Sequence, residues 1–281
     1  MSPAPLGYLV RSWIRATSAL VSPGTSGSGL MQFGMMSHHH ADEGVNSEAL
    51  PAGGSRNAPT RRSLPSMSQL PVPPHFTTDC RRCPRLVCFL GEVRARFPAY
   101  YCAPVPPFGD PEAHLLIVGL APGMHGANAS GRPFTGDFAG ILLYATLHRF
   151  GFANRGESRS ADDGLILFDC RITNAVRCLP PGNKPSLEEV RTCNPYLAAE
   201  LAGLPAGAVV LALGAVAHGA VLRALELRAV SFPFSHGAEH ALGSGLRLLD
   251  SYHCSRYNTQ TRRLTEPMFQ SVVARARELL A

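Results

Sequence analysis

The sequence predicts an α/β fold in which a mostly parallel, four-stranded sheet carries helices on both faces. Four short apolar runs of strand length alternate with segments of helical periodicity. Strands that alternate with helices favour parallel pairing, because the chain crosses over the sheet between neighbouring strands. The predicted strands are residues 115–119, about 165–177, 208–213 and 246–252.

The helices are predicted from the spacing of their apolar residues and from residue patterns that are typical of helix ends. Ser186, with Glu189 three residues later, is a capping-box pattern and begins a helix that runs to about residue 202. One further helix is predicted to end near residue 96, and three others are predicted at residues 141–150, 215–225 and 265–280.

Residues 1–75 differ in composition from the rest of the chain. They are rich in Pro, Gly, Ser and Ala, contain the run His38–His40 and show no sustained period, so we expect disorder. The absence of an acid before Asp42 is typical of a targeting segment, and a start assigned too far upstream would explain this segment equally well. The ordered domain is predicted to be residues 76–281.

Charge and hydropathy narrow the classes of partner. The formal net charge is +6 and the pI about 9.0, which suits an anionic partner without demanding one. The longest apolar run, near residues 208–222, is interrupted by His218 and is too short to span a bilayer. No membrane is therefore expected among the partners.

The loop that follows the first strand is the most informative segment. It carries Phe134 and Asp137 among glycines at positions 119, 123, 126, 131, 136 and 140. A strand that opens into a glycine-rich loop before a helix is a typical ligand site in α/β folds. The spacing matches neither the P-loop nor the dinucleotide-binding pattern. The alternative interpretation is a surface turn in which Asp137 caps the next helix.

Polar side chains also follow two later strands. Asn174 and Asn183 come after the second strand, and His253 follows the fourth. The carboxyl ends of parallel strands meet at one edge of a sheet, so we expect these residues to join the glycine-rich loop in one site.

Four of the eight cysteines have the spacing of a metal centre. Cys80 and Cys83 form a CxxC pair, and Cys178 and Cys193 lie in later polar segments. Four thiolates select zinc or an iron–sulfur cluster, and the spacing leaves both open. The remaining cysteines are predicted to be buried or without a role: Cys88, Cys102, Cys170 and Cys254.

Three of these segments together resemble the uracil-DNA glycosylase superfamily, in particular its iron–sulfur type-b branch, family five. The matching segments are GLAPGMHGANASGRPFTGD at 119–137, NAVRCLPPGNKP at 174–185 and SYHCSRYNTQT at 251–261. The resemblance covers residues 77–280. It implies a three-layer α/β/α fold and a [4Fe–4S] cluster held by Cys80, Cys83, Cys178 and Cys193.

The resemblance also implies a reaction, hydrolysis of the bond between a deaminated base and deoxyribose in DNA. Asp137 is then expected to act on the attacking water, His253 to bind the base carbonyl and Phe134 to stack on the base. The other residues expected to bind the substrate are Gly119, Ala121, Gly123, Asn174 and Asn183.

Two sets of arginines are expected to contact DNA. Residues 255–263 are expected to form a loop that enters the duplex, with Arg256, Arg262 and Arg263 holding phosphates. Five arginines near the cysteines are expected to divide between neutralising the cluster and binding phosphate: Arg81, Arg82, Arg85, Arg177 and Arg191.

The expected activity is that of a monomeric, monofunctional glycosylase in the bacterial cytoplasm, where it works at the nucleoid. Its expected substrates are uracil, hypoxanthine and xanthine in double-stranded DNA. The rival interpretation is a non-catalytic four-cysteine module that binds nucleic acid, which would need neither Asp137 nor His253. A hydrolase of small nucleotides would need a phosphate loop and a carboxylate cluster, and the sequence contains neither pattern.

Overall fold

A computed structural model describes residues 76–243 and 245–281. Within these residues the chain forms one mixed six-stranded sheet with the order β1-β3-β2-β4-β6-β5. The predicted disorder of residues 1–75 lies outside the described residues. The strands are β1 (Phe108–Gly109), β2 (Leu115–Gly119), β3 (Cys170–Asn174), β4 (Val209–Leu213), β5 (Glu239–Ala241) and β6 (Arg247–Ser251).

The predicted parallel arrangement is confirmed for the four inner strands, whereas the predicted number of strands is wrong. β3, β2, β4 and β6 pair in parallel. β1 and β5 add an antiparallel strand at each edge. These edge strands are only two and three residues long, too short to produce a readable alternation of apolar and polar residues.

The five predicted helices lie close to their predicted positions, whereas two short helices, residues 127–130 and 256–260, were not predicted. Ser186 Oγ accepts a hydrogen bond from the Glu189 backbone N–H at 3.1 Å, and the Glu189 carboxylate accepts one from the Ser186 N–H at 2.7 Å, which confirms the capping box. No described helix has the length and apolar character needed to cross a membrane. The helices are α1 (Pro84–Arg96), α2 (Ala127–Ser130), α3 (Phe138–Arg149), α4 (Leu187–Ala202), α5 (Ala215–Ala224), α6 (Arg256–Gln260) and α7 (Glu266–Leu279).

The inner strands separate two hydrophobic cores. Leu115 and Ile117 of β2 pack with residues of α3 and α7, whereas Leu116 and Val118 pack with α1, α4 and α5. Every residue of β2 and β4 is buried, as expected for strands that are covered on both faces. The predicted three-layer α/β/α arrangement is therefore confirmed.

The second strand is shorter than predicted. β3 occupies only five of the residues expected between positions 165 and 177. Leu165 and Leu167 are buried, yet they precede the strand in a loop where Leu167 forms an isolated bridge with Ala153. Their apolar character therefore reflects burial beneath a loop rather than pairing within the sheet.

Candidate functional site

The four inner strands lead to one open cavity of about 440 Å³. Gly119 ends β2, Asn174 ends β3 and Leu213 ends β4, while β6 leads into His253. The cavity therefore lies at the carboxyl edge of the parallel strands, where ligands bind in such sheets. The sequence-predicted residues in its wall are Ala121, Gly123, Phe134, Asp137, Asn174, Asn183, His253 and Arg256.

Gly119 lies behind the cavity wall and makes its shape possible. A Cβ atom at this position would lie 2.4 Å from Asn174 Oδ1 and 2.8 Å from Phe134 Cζ. A side chain here would push both residues out of place. Gly119 therefore acts through Phe134 and Asn174 instead of forming part of the wall itself.

Phe134 is held in an unfavourable backbone conformation. Its φ is +54°, in the left-handed region that non-glycine residues rarely occupy, and its side chain is almost fully buried. The ring is nearly parallel to the His253 imidazole, with centroids 6.0 Å apart and an interplanar angle of 28°. Such strain persists only where the surroundings enforce it, and it often marks a functional residue.

A buried arginine that the sequence analysis missed supports this loop. Arg132 donates hydrogen bonds to Thr135 Oγ1 at 2.8 Å, to Ser158 Oγ at 2.7 Å and to Asp163 Oδ2 at 2.8 Å. Burial would raise the pKa of Asp163, but the bonds from Arg132 and from backbone N–H groups outweigh it and hold the pKa well below its usual value. No local signal in the sequence indicates that Arg132 is buried.

Asp137 is both a helix cap and a residue of the cavity wall, the two interpretations of its position in the sequence. It is the N-cap of α3, where Oδ1 accepts a hydrogen bond from the Gly140 N–H at 2.8 Å, and its side chain also lines the cavity. Burial raises the pKa of Asp137, although the backbone N–H groups of Gly140 and Ala139 oppose the shift. The carboxylate is therefore fixed in position and partly desolvated, which suits a group that accepts a proton or orients a water molecule.

His253 is a neutral hydrogen-bonding group in the cavity wall. Burial lowers its pKa to about 4, so the imidazole is uncharged at pH 7. Its Nδ1 is buried and has no hydrogen-bond partner among the described residues. The backbone is held by Asn258, whose Nδ2 donates to the His253 carbonyl oxygen at 2.8 Å.

The two predicted asparagines reach the cavity in different ways. Asn174 is buried at the end of β3. Asn183 is exposed and has a φ of +56° in a short 3₁₀ turn, residues 181–183. Asn174 is thus rigidly placed, whereas Asn183 reaches the wall from a surface turn.

The prediction that residues 255–263 form a loop is wrong in part, because residues 256–260 form the short helix α6. Ser255 caps this turn by accepting a hydrogen bond from the Asn258 N–H at 3.4 Å. Arg256 lies over the Phe138 ring at 5.0 Å and Arg263 over the Tyr252 ring at 4.6 Å. These two arginines and Arg262 are exposed.

The four predicted metal-ligating cysteines converge on a second, small cavity. Cys80, Cys83, Cys178 and Cys193 all line it. Burial, together with the negative charges of neighbouring thiolates, raises the pKa of Cys83 to about 11 and that of Cys178 to about 12. Four thiolates at one small cavity would need a compensating cation, and the set is compatible with an iron–sulfur cluster.

Two of the arginines near the cysteines have carboxylate partners, and their expected role in neutralising a cluster or binding phosphate stays a prediction. Arg85 forms a bidentate pair with Glu189, with both contacts at 2.7 Å. Arg177 is buried and contacts Glu200 at 2.5 Å. Of the remaining cysteines, Cys88 is exposed, while the other three are buried as predicted: Cys102, Cys170 and Cys254.

Replacement of Gly140 by alanine tests how tightly the Phe134 loop is held. An added Cβ would lie 1.9 Å from the Phe134 carbonyl oxygen. Alanine in a helix normally stabilises by about 0.5–1 kcal/mol relative to glycine, but this overlap should reverse the sign and cost about 1–3 kcal/mol. Denaturant unfolding measures the change in free energy.

Gly91→Ala in α1 is the matched control, because, apart from its chain neighbours and its own helical backbone, no described atom lies within 4 Å of the added Cβ. It should leave stability unchanged or raise it. Equal stabilisation by both substitutions would contradict a tightly held loop.

Comparison with known proteins agrees with this geometry. The profile of the Uracil DNA glycosylase superfamily matches residues 106–277. A type-5 uracil-DNA glycosylase of Thermus thermophilus is 50% identical over 207 residues, which are 72% of this chain and 94% of that protein. Type-5 uracil-DNA glycosylases of Mycobacterium leprae and Pyrobaculum aerophilum are 47% identical over 209 residues and 43% identical over 202 residues. These matches cover 71% and 70% of this chain, and 91% and 88% of the two relatives. The chain therefore belongs to the uracil-DNA glycosylase superfamily, within its type-5 branch.

Proposed function

We propose that residues 76–281 form a glycosylase domain that hydrolyses the bond between uracil and deoxyribose in DNA and leaves an abasic site. One observation carries this proposal: Asp137, His253 and Phe134 line the same cavity at the carboxyl edge of the sheet. Family membership and the names of the type-5 relatives support the same reaction.

The cavity suits a base that has left the duplex. A base inside the helix is out of reach, so the target nucleotide must flip into the enzyme. Phe134 stacks on the flipped base, and such an aromatic contact contributes about 1–3 kcal/mol. The stacking between Phe134 and His253 places a hydrogen-bonding group beside the stacking surface.

His253 stabilises the leaving base. As the glycosidic bond breaks, negative charge develops on the carbonyl oxygens of uracil. A neutral imidazole with a fixed position donates one N–H to such an oxygen without needing to titrate. Loss of one such donor typically costs about 2.7–4 kcal/mol of transition-state stabilisation.

Asp137 acts on the sugar side of the bond. Its carboxylate accepts a proton from the attacking water or orients that water, and its negative charge favours the cationic sugar that forms as the base departs. The hydrogen bond from the Gly140 N–H fixes its orientation. A positioned general base contributes about 10²–10⁴-fold to the rate.

The remaining wall residues set the choice of base. Asn174 and Asn183 contact polar atoms of the base, while Gly123 and Ala121 present backbone and small side chains. We extend the substrates to hypoxanthine and xanthine in double-stranded DNA. The enzyme works as a monomer in the bacterial cytoplasm, at the nucleoid.

The three exposed arginines near the cavity hold DNA phosphates. Arg256 belongs to the cavity wall, and Arg262 and Arg263 follow it on the same surface segment. Arginine suits this role because its planar guanidinium donates two parallel hydrogen bonds to phosphate oxygens.

The four converging cysteines would hold a [4Fe–4S] cluster. When bound, the cluster cross-links the chain and carries no part of the hydrolysis. Cys83 caps α1, Cys178 follows β3 and Cys193 belongs to α4, so the four ligands tie together segments far apart in sequence. This joins the cysteine region to β3, which supplies Asn174 to the cavity.

The enzyme is monofunctional and does not cleave the DNA strand. Strand cleavage through a Schiff base needs an amine at the sugar. Lys184 is the only lysine in the chain, and it is not one of the cavity-lining residues.

Substitution of the two catalytic residues tests the proposed reaction. Duplex oligonucleotides that contain one U·G or hypoxanthine·T pair are incubated with anaerobically purified protein, and alkali then reveals abasic sites. Asp137→Asn keeps an N-cap oxygen but removes the charge, so we expect a loss of about 10²–10⁴-fold with little change in stability. His253→Ala should lose about 10²–10³-fold.

His148→Ala, at an exposed position on α3, is the control and should keep wild-type activity. Wild-type protein that contains its cluster and binds DNA but leaves every lesion intact would contradict the proposal. The non-catalytic binding module would then be the better interpretation.

The pH dependence separates the two roles. Asp137 must be ionised to act on water, and burial raises its pKa, so the rate should fall as the pH drops through a value above the ordinary carboxyl range. His253 is already neutral well below pH 6.5, so it should cause no change in rate near that pH. Single-turnover rates between pH 4 and 9 measure both effects; a step near pH 6.5 that disappears in His253→Ala would contradict the assignment.

Metal analysis tests the cluster. The purified protein should contain about four iron atoms and about four sulfide ions per chain and absorb visible light. Cys178→Ser should lose most of the iron, whereas Cys88→Ser, at an exposed cysteine outside the small cavity, should keep it. One zinc ion per chain in place of iron would contradict the proposal.

A further inference from the structure

A second group of potential metal ligands lies away from the cysteines. His218 of α5, His240 of β5 and Asp250 of β6 have one donor atom each within 4.8 Å of one another. The Asp250 side chain is fully buried, and the side chains of His218 and His240 are only 5% and 13% exposed. The rings of Phe232 and Phe234 pack against these imidazoles.

The hydrogen bonds of His218 indicate that a cation is needed between His218 and Asp250. His218 Nε2 lies 2.9 Å from the Phe232 carbonyl oxygen, which only accepts, so Nε2 carries a proton. In a neutral imidazole Nδ1 then presents a lone pair, and this lone pair faces Asp250 Oδ1 at 2.8 Å. Two acceptors at this distance need a cation between them.

The other half of the group is also unsatisfied. His240 Nε2 and Asp250 Oδ2 are both buried and lie 3.4 Å apart, and neither has a hydrogen-bond partner among the described residues. A cation between these two atoms would satisfy both of them.

We propose that His218, His240 and Asp250 form a binding site for a single divalent transition-metal ion, with zinc as the preferred occupant. The donors are His218 Nδ1, His240 Nε2 and the Asp250 carboxylate, three protein ligands of the nitrogen and oxygen types that zinc accepts. The bond from His218 Nε2–H to the Phe232 carbonyl is the partner that metal-ligating histidines commonly have.

The three donor atoms lie within 4.8 Å of one another, so some separations must change for zinc to bind. With bonds of about 2.0–2.1 Å, neighbouring donors of a tetrahedral site lie about 3.3–3.4 Å apart. The 3.4 Å separation of His240 Nε2 and Asp250 Oδ2 already fits. The 2.8 Å contact between His218 and Asp250 must open by about 0.5 Å.

The ion would hold together two segments that line the cavity at the carboxyl edge of the sheet. Asp250 lies three residues before His253, and α5 begins with Ala215 and Val216, which line the cavity. A metal that joins α5, β5 and β6 would hold these segments together. The inference concerns binding and stability and does not depend on the proposed glycosylase reaction.

Zinc titration of the full chain tests the site. His38, His39 and His40 are replaced by glutamine in every sample, because that run could bind metal by itself. The anaerobic, iron-containing protein is treated with a chelator, titrated with Zn²⁺ by calorimetry and analysed for zinc and iron. We expect one zinc ion per chain, an unchanged iron content and a higher melting temperature.

His240→Gln should weaken zinc binding by at least about tenfold, a loss seen even when only an orienting partner of a ligand is removed. The matched control, His148→Gln, should bind zinc like the parent. Imidazole ¹⁵N resonances of the parent protein provide a readout without a ligand substitution, since two histidines should shift on zinc addition. Unchanged zinc binding in His240→Gln would overturn the proposal. A folded parent protein that binds no zinc would also overturn it, and would indicate that a proton lies between His218 Nδ1 and Asp250 Oδ1.

Discussion

Parallel pairing of the four inner strands is the constraint on which the site depends. Buried backbone N–H and C=O groups need partners, and the ladders of β3, β2, β4 and β6 provide them. Their register aligns Gly119 with Asn174 and Leu213 with Ser251. A shift by one residue would turn every side chain to the opposite face. The loops that carry Phe134 and His253 therefore start from one edge and meet over one cavity.

Groups outside the cavity maintain its geometry. Phe134 keeps a left-handed backbone because Gly140 leaves room for its carbonyl oxygen and the buried Arg132 holds the loop from behind. Asp137 has a structural and a chemical position at once, because the same carboxylate caps α3 and lines the cavity. The structural and chemical interpretations of this aspartate are therefore compatible: the cap sets the orientation that catalysis would use.

Short sequence patterns were enough to predict the inner strands and the start of α4. The inner strands are buried apolar runs, and the capping box at Ser186 marks the start of α4, so both could be read from the sequence. The edge strands are too short to show a period, and the apolar residues before β3 belong to a loop. The hydroxyl group that caps α6 at Ser255 could have indicated the helical turn in the segment predicted as a loop.

The sequence by itself determined the parallel α/β core, the four cysteines and the cavity residues Phe134, Asp137 and His253, because each follows a strand or a motif of fixed spacing. Only the tertiary structure decided which charged groups are buried and paired. Arg132 and Arg177 are buried arginines with carboxylate partners, and His218 meets Asp250 from 32 positions away. Such partners come from elements far apart in sequence, and desolvation depends on every element packed around a group. No local pattern carries that information.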